Sequence, residues 1–386
     1  MDILRFVSNR NMFIGPNARR KINDVIVRMQ LRKAFIVTDA NLVKIRATDK
    51  VTGELERDGI PYEILDNVKP NPTVENVQMG VDCFLISGAD FILAFGGGSA
   101  IDTAKAIGII ARNPEFYNVV SLEGADKSKK PSIPVIAVPT TAGTGSETTM
   151  DYVITNENEK RKMACMDINA VPAAAILDLE IMASMPARLT AATAMDALTH
   201  AVESYTAKGA WTVTETFSLK AAELIAGSLE NAMEHPDDLS AWLDLATGQY
   251  LAGAAFTNAG LGIAHSMAHP LSARFGIHHG IANGMILPYV MEYNADFVSG
   301  KYARIAEAFG YRFSGGESVG EKSGKAVEAV RHLLLKTGLP TSLSQLDIDR
   351  EELAGLSEDA FLDISTQDNP REATAESIRS IYERMY

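Results

Sequence analysis

The sequence predicts an α/β domain over residues 1–185 followed by an all-helical domain over residues 186–386, and three observations support this. The first part alternates short apolar strands with helical segments, a pattern typical of βαβ units around a buried parallel sheet. From Pro186 onward the chain is a series of Ala-, Leu- and Met-rich helical stretches with few β-branched runs. A chain of 386 residues is also long enough for about two to three domains.

Four predicted strands set the order of the α/β part. They are short apolar runs rich in β-forming residues, KAFIVTD (33–39), YEIL (62–65), DFILAFGGGS (90–99) and IPVIAVPTT (133–141). A helical pattern, PTVENVQMGVDCFLISG, lies between the second and third strands. Because ligands bind at the carboxyl ends of parallel strands, we expect the residues that follow these strands to form a binding site.

Composition argues against several classes of partner. The net charge of −13 is unsuited to binding nucleic-acid phosphates. Two cysteines, Cys83 and Cys165, cannot form a disulfide framework, and no basic segment followed by an apolar one marks a signal peptide at the start. No apolar run is long enough to span a bilayer. We therefore expect a cytoplasmic protein without a nucleic-acid or membrane partner.

Two glycine- and threonine-rich loops predict a dinucleotide site. GGGSAID (96–102) follows the third strand and opens a helix, whose N-terminal N–H groups can bind a phosphate that glycines allow to approach closely. A turn of this kind can also be purely structural, since its spacing is not GxGxxG. VPTTAGTGSETT (138–149) is a second such loop at a neighbouring strand end, and two loops favour a dinucleotide over a single phosphate.

Asp39 ends the first of these strands and has two interpretations. Its carboxylate can accept hydrogen bonds from the ribose hydroxyls of NAD and repel the 2′-phosphate of NADP. It can equally serve as the N-cap of a helix beginning at Ala40.

The helical part contains a cluster of residues that bind metals. Four of the seven histidines lie in HSMAHPLSARFGIHHG (265–280), and Asp196 precedes His200 by four residues. His265 and His269 have the same spacing, which places both members of each pair on one helical face. Either pair alone is more often a simple hydrogen bond, but together they suit Fe²⁺ or Zn²⁺.

The histidines after Pro270 complete the predicted centre. We expect a loop to follow Pro270 and a new helix to open at His278, His279 and Gly280. Three imidazoles and one carboxylate would leave an open coordination position, which distinguishes a catalytic metal from a structural one.

Several motifs, in order and over essentially the whole chain, resemble those of the iron-containing (group III) alcohol dehydrogenases. The resemblance is to the branch of lactaldehyde reductase, 1,3-propanediol dehydrogenase and methanol dehydrogenase. It implies the dehydroquinate synthase-like architecture, with a Rossmann-like N-terminal domain and a helical C-terminal one. The motifs are GGGSAIDTAKA (96–106), PTTAGTGSE (139–147), MDALTHAVE (195–203), GIAHSMAHP with the downstream HHG, and NPREAT (369–374).

The resemblance also implies roles for individual residues. Asp196, His200, His265 and His279 match the metal ligands, and His269 matches a catalytic position that moves protons near the nicotinamide. The implied cofactor-binding positions are Asp39, Asn71, Gly97, Gly98, Ser99, Asp102, Thr140, Thr141, Thr144, Thr149, Lys162 and Leu179.

The implied activity is a metal-dependent, NAD-linked interconversion of a small alcohol, diol or short aldehyde. The metal would be Fe²⁺, with Zn²⁺ or another divalent ion possible. The implied assembly is a homodimer or higher homo-oligomer, formed through the N-terminal strand around Arg5 to Ile14. Two alternatives stay open: a non-catalytic metal- or nucleotide-binding paralogue, and an enzyme resembling dehydroquinate synthase or glycerol-1-phosphate dehydrogenase.

Three residues bear on the substrate. Asp151 stands where relatives of the lactaldehyde reductase type usually have Asn. Arg274 could face a negatively charged substrate group or be a solvated loop cation. Phe256 resembles an aromatic wall of the family's substrate pocket, although an apolar helix residue needs no such role.

Overall fold

A computed structural model describes residues 3–159 and 161–386 of the chain. They divide into two compact units, Met1–Met185 and Pro186–Tyr386. The first combines a parallel sheet with helices and the second is helical, so the predicted fold class is confirmed.

The main sheet of the first unit has six parallel strands in the order β1-β9-β6-β4-β2-β3. The four predicted strands are β2, β3, β4 and β6, and β1 and β9 complete the sheet. A second sheet, in the order β5-β8-β7, contains the antiparallel pair β7 and β8. The strands are β1 Asn11–Gly15, β2 Ala34–Val37, β3 Tyr62–Leu65, β4 Phe91–Gly96, β5 Gly124–Ala125, β6 Val135–Pro139, β7 Asp151–Asn156, β8 Arg161–Met166 and β9 Ala174–Asp178.

Helices cover both faces of the main sheet, which explains why its central strands are apolar throughout. Phe35 and Ile92 face a core shared with α4 and α5, while their neighbours Ile36 and Leu93 face a core shared with α1 and α3. The helices of this unit are α1 Ile22–Met29, α2 Ala40–Lys44, α3 Asp49–Arg57, α4 Val74–Ser87, α5 Gly98–Arg112 and α6 Leu179–Met182.

The second unit is built around α7, which is buried at every position from Thr190 to Thr206. A helix without a solvent face belongs in the centre of a bundle. A further core joins α10, α11, α13 and α14. The helices are α7 Ala187–Thr206, α8 Thr212–Glu234, α9 Leu239–Ala259, α10 Ile263–Phe275, α11 His279–Ala308, α12 Val319–Thr337, α13 Leu353–Leu362 and α14 Ala375–Glu383.

The expected loop after Pro270 is wrong, because α10 continues to Phe275 and Pro270 lies inside it. Proline removes one helical hydrogen bond and disfavours the turn before it, at a cost of about 3 kcal/mol. Pro270 is buried and packed within the helical unit, so tertiary packing outweighs that local preference. Gly276 in the left-handed conformation (φ 67°) ends the helix instead.

Local signals set other helix ends. Thr73 begins α4 with a capping box and Gly88 ends it, and Ser318 and Gly338 do the same for α12.

Among the helices of residues 3–159 and 161–386, none is both long and apolar enough to cross a membrane.

Candidate metal centre and cofactor loops

The two loops predicted to bind a dinucleotide lie against each other at the carboxyl ends of β4 and β6. The backbone N–H of Thr140 donates to the carbonyl oxygen of Gly96 at 2.9 Å. A Cβ atom added at Gly97 would lie 3.3 Å from Thr141 Cγ2, and one at Gly98 would lie 2.8 Å from Thr144 Cγ2. Gly98 is the first residue of α5, so the loops surround a helix N-terminus that offers backbone donors.

Asp39 is the N-cap of α2. Its carboxylate accepts hydrogen bonds from the backbone N–H groups of Asn41 at 2.9 Å and Leu42 at 3.1 Å. The capping interpretation of Asp39 is therefore confirmed, and it does not compete with ribose binding because a carboxylate has further lone pairs.

Other predicted cofactor residues have varied surroundings. Asn71 is exposed with a left-handed backbone (φ 61°), Lys162 is half-buried on β8, and Leu179 is buried at the start of α6. Ser99 is half-buried in the first turn of α5.

Asp102 and Lys105 lie one turn apart on α5 and bind both the end of the second loop and the start of β7. The Asp102 carboxylate accepts from Ser146 Oγ and from the Val153 N–H, and burial raises the pKa of Asp102. Lys105 Nζ donates to Thr149 Oγ1 at 3.0 Å and to the Asp151 carbonyl at 2.7 Å, and burial lowers the pKa of Lys105 to about 8. Sequence reasoning missed Lys105.

Three of the four predicted metal ligands converge in the helical unit. Asp196 on α7, His265 on α10 and His279 at the start of α11 each offer a ligand atom, and these atoms all lie within 4.8 Å of one another. Asp196 Oδ1 is 4.0 Å from His265 Nε2 and 3.8 Å from His279 Nε2. Two ligands of one tetrahedral ion, with bonds of about 2.1 Å, are about 3.4 Å apart, so small side-chain shifts suffice to bind one ion.

The surroundings of His265 test whether a metal fits. Its Nδ1 lies 2.6 Å from Glu203 Oε2, so Nδ1–H donates to the carboxylate, and in the neutral ring the lone pair is on Nε2. Nε2 is buried and has no hydrogen-bond partner within residues 3–159 and 161–386. A buried acceptor without a partner is costly unless something binds it, and a divalent cation meets that need.

His200, the fourth predicted ligand, lies beside this group rather than within it. Its ring stacks on His265 with 4.5 Å between centroids, and on Phe256 at the same distance. Phe256 therefore contacts a predicted ligand.

Asn283 joins two of the ligands and was missed by sequence reasoning. It is fully buried one turn after His279 on α11, and its Nδ2 donates to Asp196 Oδ1 at 2.7 Å and lies 3.2 Å from His279 Nε2. The four-residue spacing from His279 was the available signal.

His269, the predicted catalytic residue, is paired with Asp363. Its Nδ1 lies 2.6 Å from Asp363 Oδ2, and its ring stacks on His279 with 5.2 Å between centroids. Burial acts to raise the pKa of Asp363, but the charge and hydrogen bond of His269, together with hydrogen bonds from Ser365, outweigh burial and lower that pKa to about 2. Asp363 is thus a carboxylate that orients the His269 ring.

Arg274 lies in the last turn of α10, not in the predicted loop, and pairs with Asp359 of α13. Its Nε donates to Asp359 Oδ2 at 2.8 Å from the last turn of α10. Arg274 is therefore not a loop residue, and it links α10 to α13.

Gly280 allows α11 to reach the centre, and we expect Gly280→Ala to disrupt it. An added Cβ would lie 2.0 Å from the carbonyl oxygen of Ala192 on α7, which backbone movement alone can relieve. The displaced helix would carry His279 away from Asp196. We expect a loss of about 1–3 kcal/mol in the free energy of unfolding and a lower metal content, measured by denaturation and elemental analysis.

Gly300→Ala is the matched control for Gly280→Ala, because Gly300 is a helical glycine beyond the kink of α11 at Val298, with no atom within 4 Å of an added Cβ. It should leave metal content unchanged and stability equal or higher. Similar metal loss in both variants would contradict the close-approach argument.

Comparisons with known proteins agree with these features. The family model described as iron-containing alcohol dehydrogenase matches residues 9–179, and that described as the C-terminal part of the Fe-containing alcohol dehydrogenase family matches residues 190–386. The chain is 45% identical over 378 residues to lactaldehyde reductase of Escherichia coli (strain K12), covering 98% of each chain.

Two further matches extend the comparison. NAD-dependent methanol dehydrogenase of Bacillus methanolicus is 38% identical, covering 95% of this chain and 96% of that protein. The crystal structure of a 1,3-propanediol oxidoreductase superposes with a TM-score of 0.97 at 36% identity, covering all of both chains.

Proposed function

The chain belongs to the iron-containing alcohol dehydrogenase family, and from this we propose how its residues divide the work of oxidising a small alcohol and reducing its aldehyde. The predicted family and oxidoreductase activity are confirmed. The observation that carries the proposal is the convergence of Asp196, His265 and His279. Within this group, His265 Nε2 is buried and has no hydrogen-bond partner among the described residues.

Asp196, His200, His265 and His279 would hold the divalent ion. The bound ion supplies Lewis acidity, which lowers the pKa of a hydroxyl group and stabilises negative charge on oxygen. Nitrogen and carboxylate ligands suit Fe²⁺, Zn²⁺ and other divalent ions, and the family indicates Fe²⁺. Glu203 and Asn283 would hold His265 and Asp196 in place.

The two glycine- and threonine-rich loops would bind NAD, which would supply the nicotinamide as the hydride acceptor or donor. Backbone N–H groups at the start of α5 would bind the pyrophosphate, and Asp39 would bind the adenosine ribose. The cofactor also requires residues around these loops, which we propose to be Asn71, Gly97, Gly98, Ser99, Asp102, Thr140, Thr141, Thr144, Thr149, Lys162 and Leu179.

His269 would move the proton that accompanies the hydride. Its Nδ1 is engaged by Asp363, so Nε2 is the nitrogen that can exchange a proton with substrate or solvent. The ring is 15% exposed, which lets water reach it.

We propose that the substrate is a small alcohol, diol or short aldehyde, and that the chain forms a homodimer or larger homo-oligomer. The names of the relatives, which refer to lactaldehyde, methanol and 1,3-propanediol, support the first point. The position of β1 at an edge of the main sheet supports the second, since an edge strand can pair with a second copy. Free Cys83 and Cys165 support a reducing, cytoplasmic location.

The proposal is tested by following anaerobic NADH oxidation with a panel of small aldehydes. The protein is reconstituted with Fe²⁺, with Zn²⁺ or with no metal. Turnover that depends on metal and favours one or a few aldehydes is expected. NADH binding without turnover under any of these conditions would instead favour the non-catalytic alternative.

The choice between NAD and NADP gives a separate prediction. Asp39→Gly should raise kcat/KM with NADPH relative to NADH, because it removes the carboxylate that repels the 2′-phosphate. Glycine is itself a tolerated N-cap, so α2 should lose only a few tenths of a kcal/mol. Asp238→Gly, which alters the N-cap of α9, is the control, and an unchanged cofactor preference in Asp39→Gly would contradict the assignment.

A further inference from the structure

Glu203 is a buried carboxylate that touches no predicted substrate or cofactor position. It lies on α7 seven residues after Asp196, and only 4% of it is exposed. Its two oxygens are divided between two tasks. Oε1 accepts a hydrogen bond from the Ala264 N–H at 2.7 Å, while Oε2 lies 2.6 Å from His265 Nδ1 and 3.4 Å from the His265 N–H.

The contacts of Oε1 explain how α10 begins. The first N–H groups of a helix have no partner inside it, and a carboxylate there also interacts favourably with the helix dipole. Gly262 is the N-cap of α10 and has no side chain to supply this partner. Glu203 therefore caps α10 from a different helix and fixes where the helix starts relative to α7.

The contact of Oε2 determines what His265 can do. A proton held on Nδ1 leaves the lone pair on Nε2, the atom that faces Asp196. A carboxylate on the far nitrogen also makes an imidazole a better metal ligand. The same side chain thus determines which ring nitrogen of His265 donates to it, and it also fixes the position of the His265 backbone relative to α7.

Gly262 leaves room for the Glu203 carboxylate because it has no side chain. A Cβ added at Gly262 would lie 2.7 Å from Glu203 Oε1 and 3.0 Å from Asn369 Oδ1. Asn369 in turn accepts from the Ile263 N–H at 3.4 Å and pairs with Asn294 at 2.9 Å. The start of α10 is therefore clamped between Glu203 and Asn369.

We propose that Glu203 is a positioning residue of the metal centre, which holds His265 in its metal-binding form and fixes its distance from Asp196. This inference rests on the proposed function, because it assumes that the centre binds a divalent ion. It differs from a purely structural role, which would affect the folding of α10 but leave the affinity of the folded protein for metal unchanged.

The test measures the dissociation constant for Zn²⁺ by competition with a chelator, at a temperature where every variant is folded. Glu203→Gln keeps the shape of the side chain. It places an NH₂ group, which cannot accept a hydrogen bond, opposite either the Ala264 N–H or the His265 Nδ1–H. We therefore expect Zn²⁺ binding to weaken by about 10- to 100-fold. Gly262→Ala keeps the Glu203 carboxylate but adds a methyl group that displaces it, so this variant should also bind Zn²⁺ more weakly. Glu223→Gln, an exposed carboxylate on α8, is the control and should change nothing.

The possible outcomes separate the inference from the proposed function. A lower melting temperature of metal-free Glu203→Gln with an unchanged Zn²⁺ dissociation constant would overturn the positioning role. Wild-type protein that binds no Zn²⁺ would overturn the metal centre itself, and with it the inference. Weakened binding in both Glu203→Gln and Gly262→Ala, but not in Glu223→Gln, would support the inference.

Discussion

Replacing His279 with alanine should remove the bound metal and reduce turnover by at least about 10³-fold, because Lewis acidity contributes several kcal/mol to such reactions. His279 is the first residue of α11, and about a quarter of its side chain (23%) is exposed. Its loss should therefore affect the centre more than the fold. His265→Ala should have the same effect on metal and turnover, together with a loss of stability from the uncompensated Glu203 carboxylate.

The measurement is metal content per protein chain alongside kcat, after purification and reconstitution with excess Fe²⁺. His332→Ala is the control, since His332 is an exposed histidine on α12 in the same unit. It should retain wild-type metal content and rate. A His279→Ala protein that kept one metal per chain would contradict the assignment of His279 as a ligand.

Replacing His269 with alanine should separate proton movement from metal binding. Its Nδ1 is held by Asp363, and its ring lies outside the group of converging ligand atoms. We expect full metal content and a fall in kcat of about 10²- to 10⁴-fold, the range of a general acid–base group. The deficit should vary with pH, because solvent species would have to replace the imidazole.

Asp363→Asn provides a graded comparison for the His269 prediction. An amide oxygen can still accept from His269 Nδ1 but does not stabilise a charged ring, so the rate should fall less than in His269→Ala. Metal content and the pH profile of kcat are measured for both variants. A metal-free His269→Ala protein would show that the division of roles among the histidines is wrong.

The sequence was sufficient for much of the fold because its signals are local. Short continuous apolar runs located β2, β4 and β6, and glycine-rich turns located the loops that β4 and β6 carry. The loop expected after Pro270 was wrong because packing of the buried Pro270 outweighs the tendency of proline to interrupt a helix. The small sheet of β5, β7 and β8 was not predicted, since short half-buried strands give a weak pattern.

The residues of the candidate site were also only partly predictable from the sequence. His265 and His279 stand out in the sequence because histidines are rare and closely spaced there. Glu203, Asn283 and Asp363 do not, because acidic and amide residues are common on helix surfaces and their partners lie far along the chain. Asp363 is 94 residues from His269, a pairing that no spacing rule reveals.

The clamp on α10 has a consequence for the order of events during synthesis. Asn369 and Ile263, which meet at the start of that helix, are 106 residues apart in the chain. A growing chain that has emerged from the ribosome only as far as His279 already carries every predicted ligand and Glu203, but not Asn369, the other side of the clamp. Because domains fold as units from the N-terminus, the nucleotide-binding part can be complete while the helical part is still being made. Tight uptake of the metal would therefore be among the last steps of maturation.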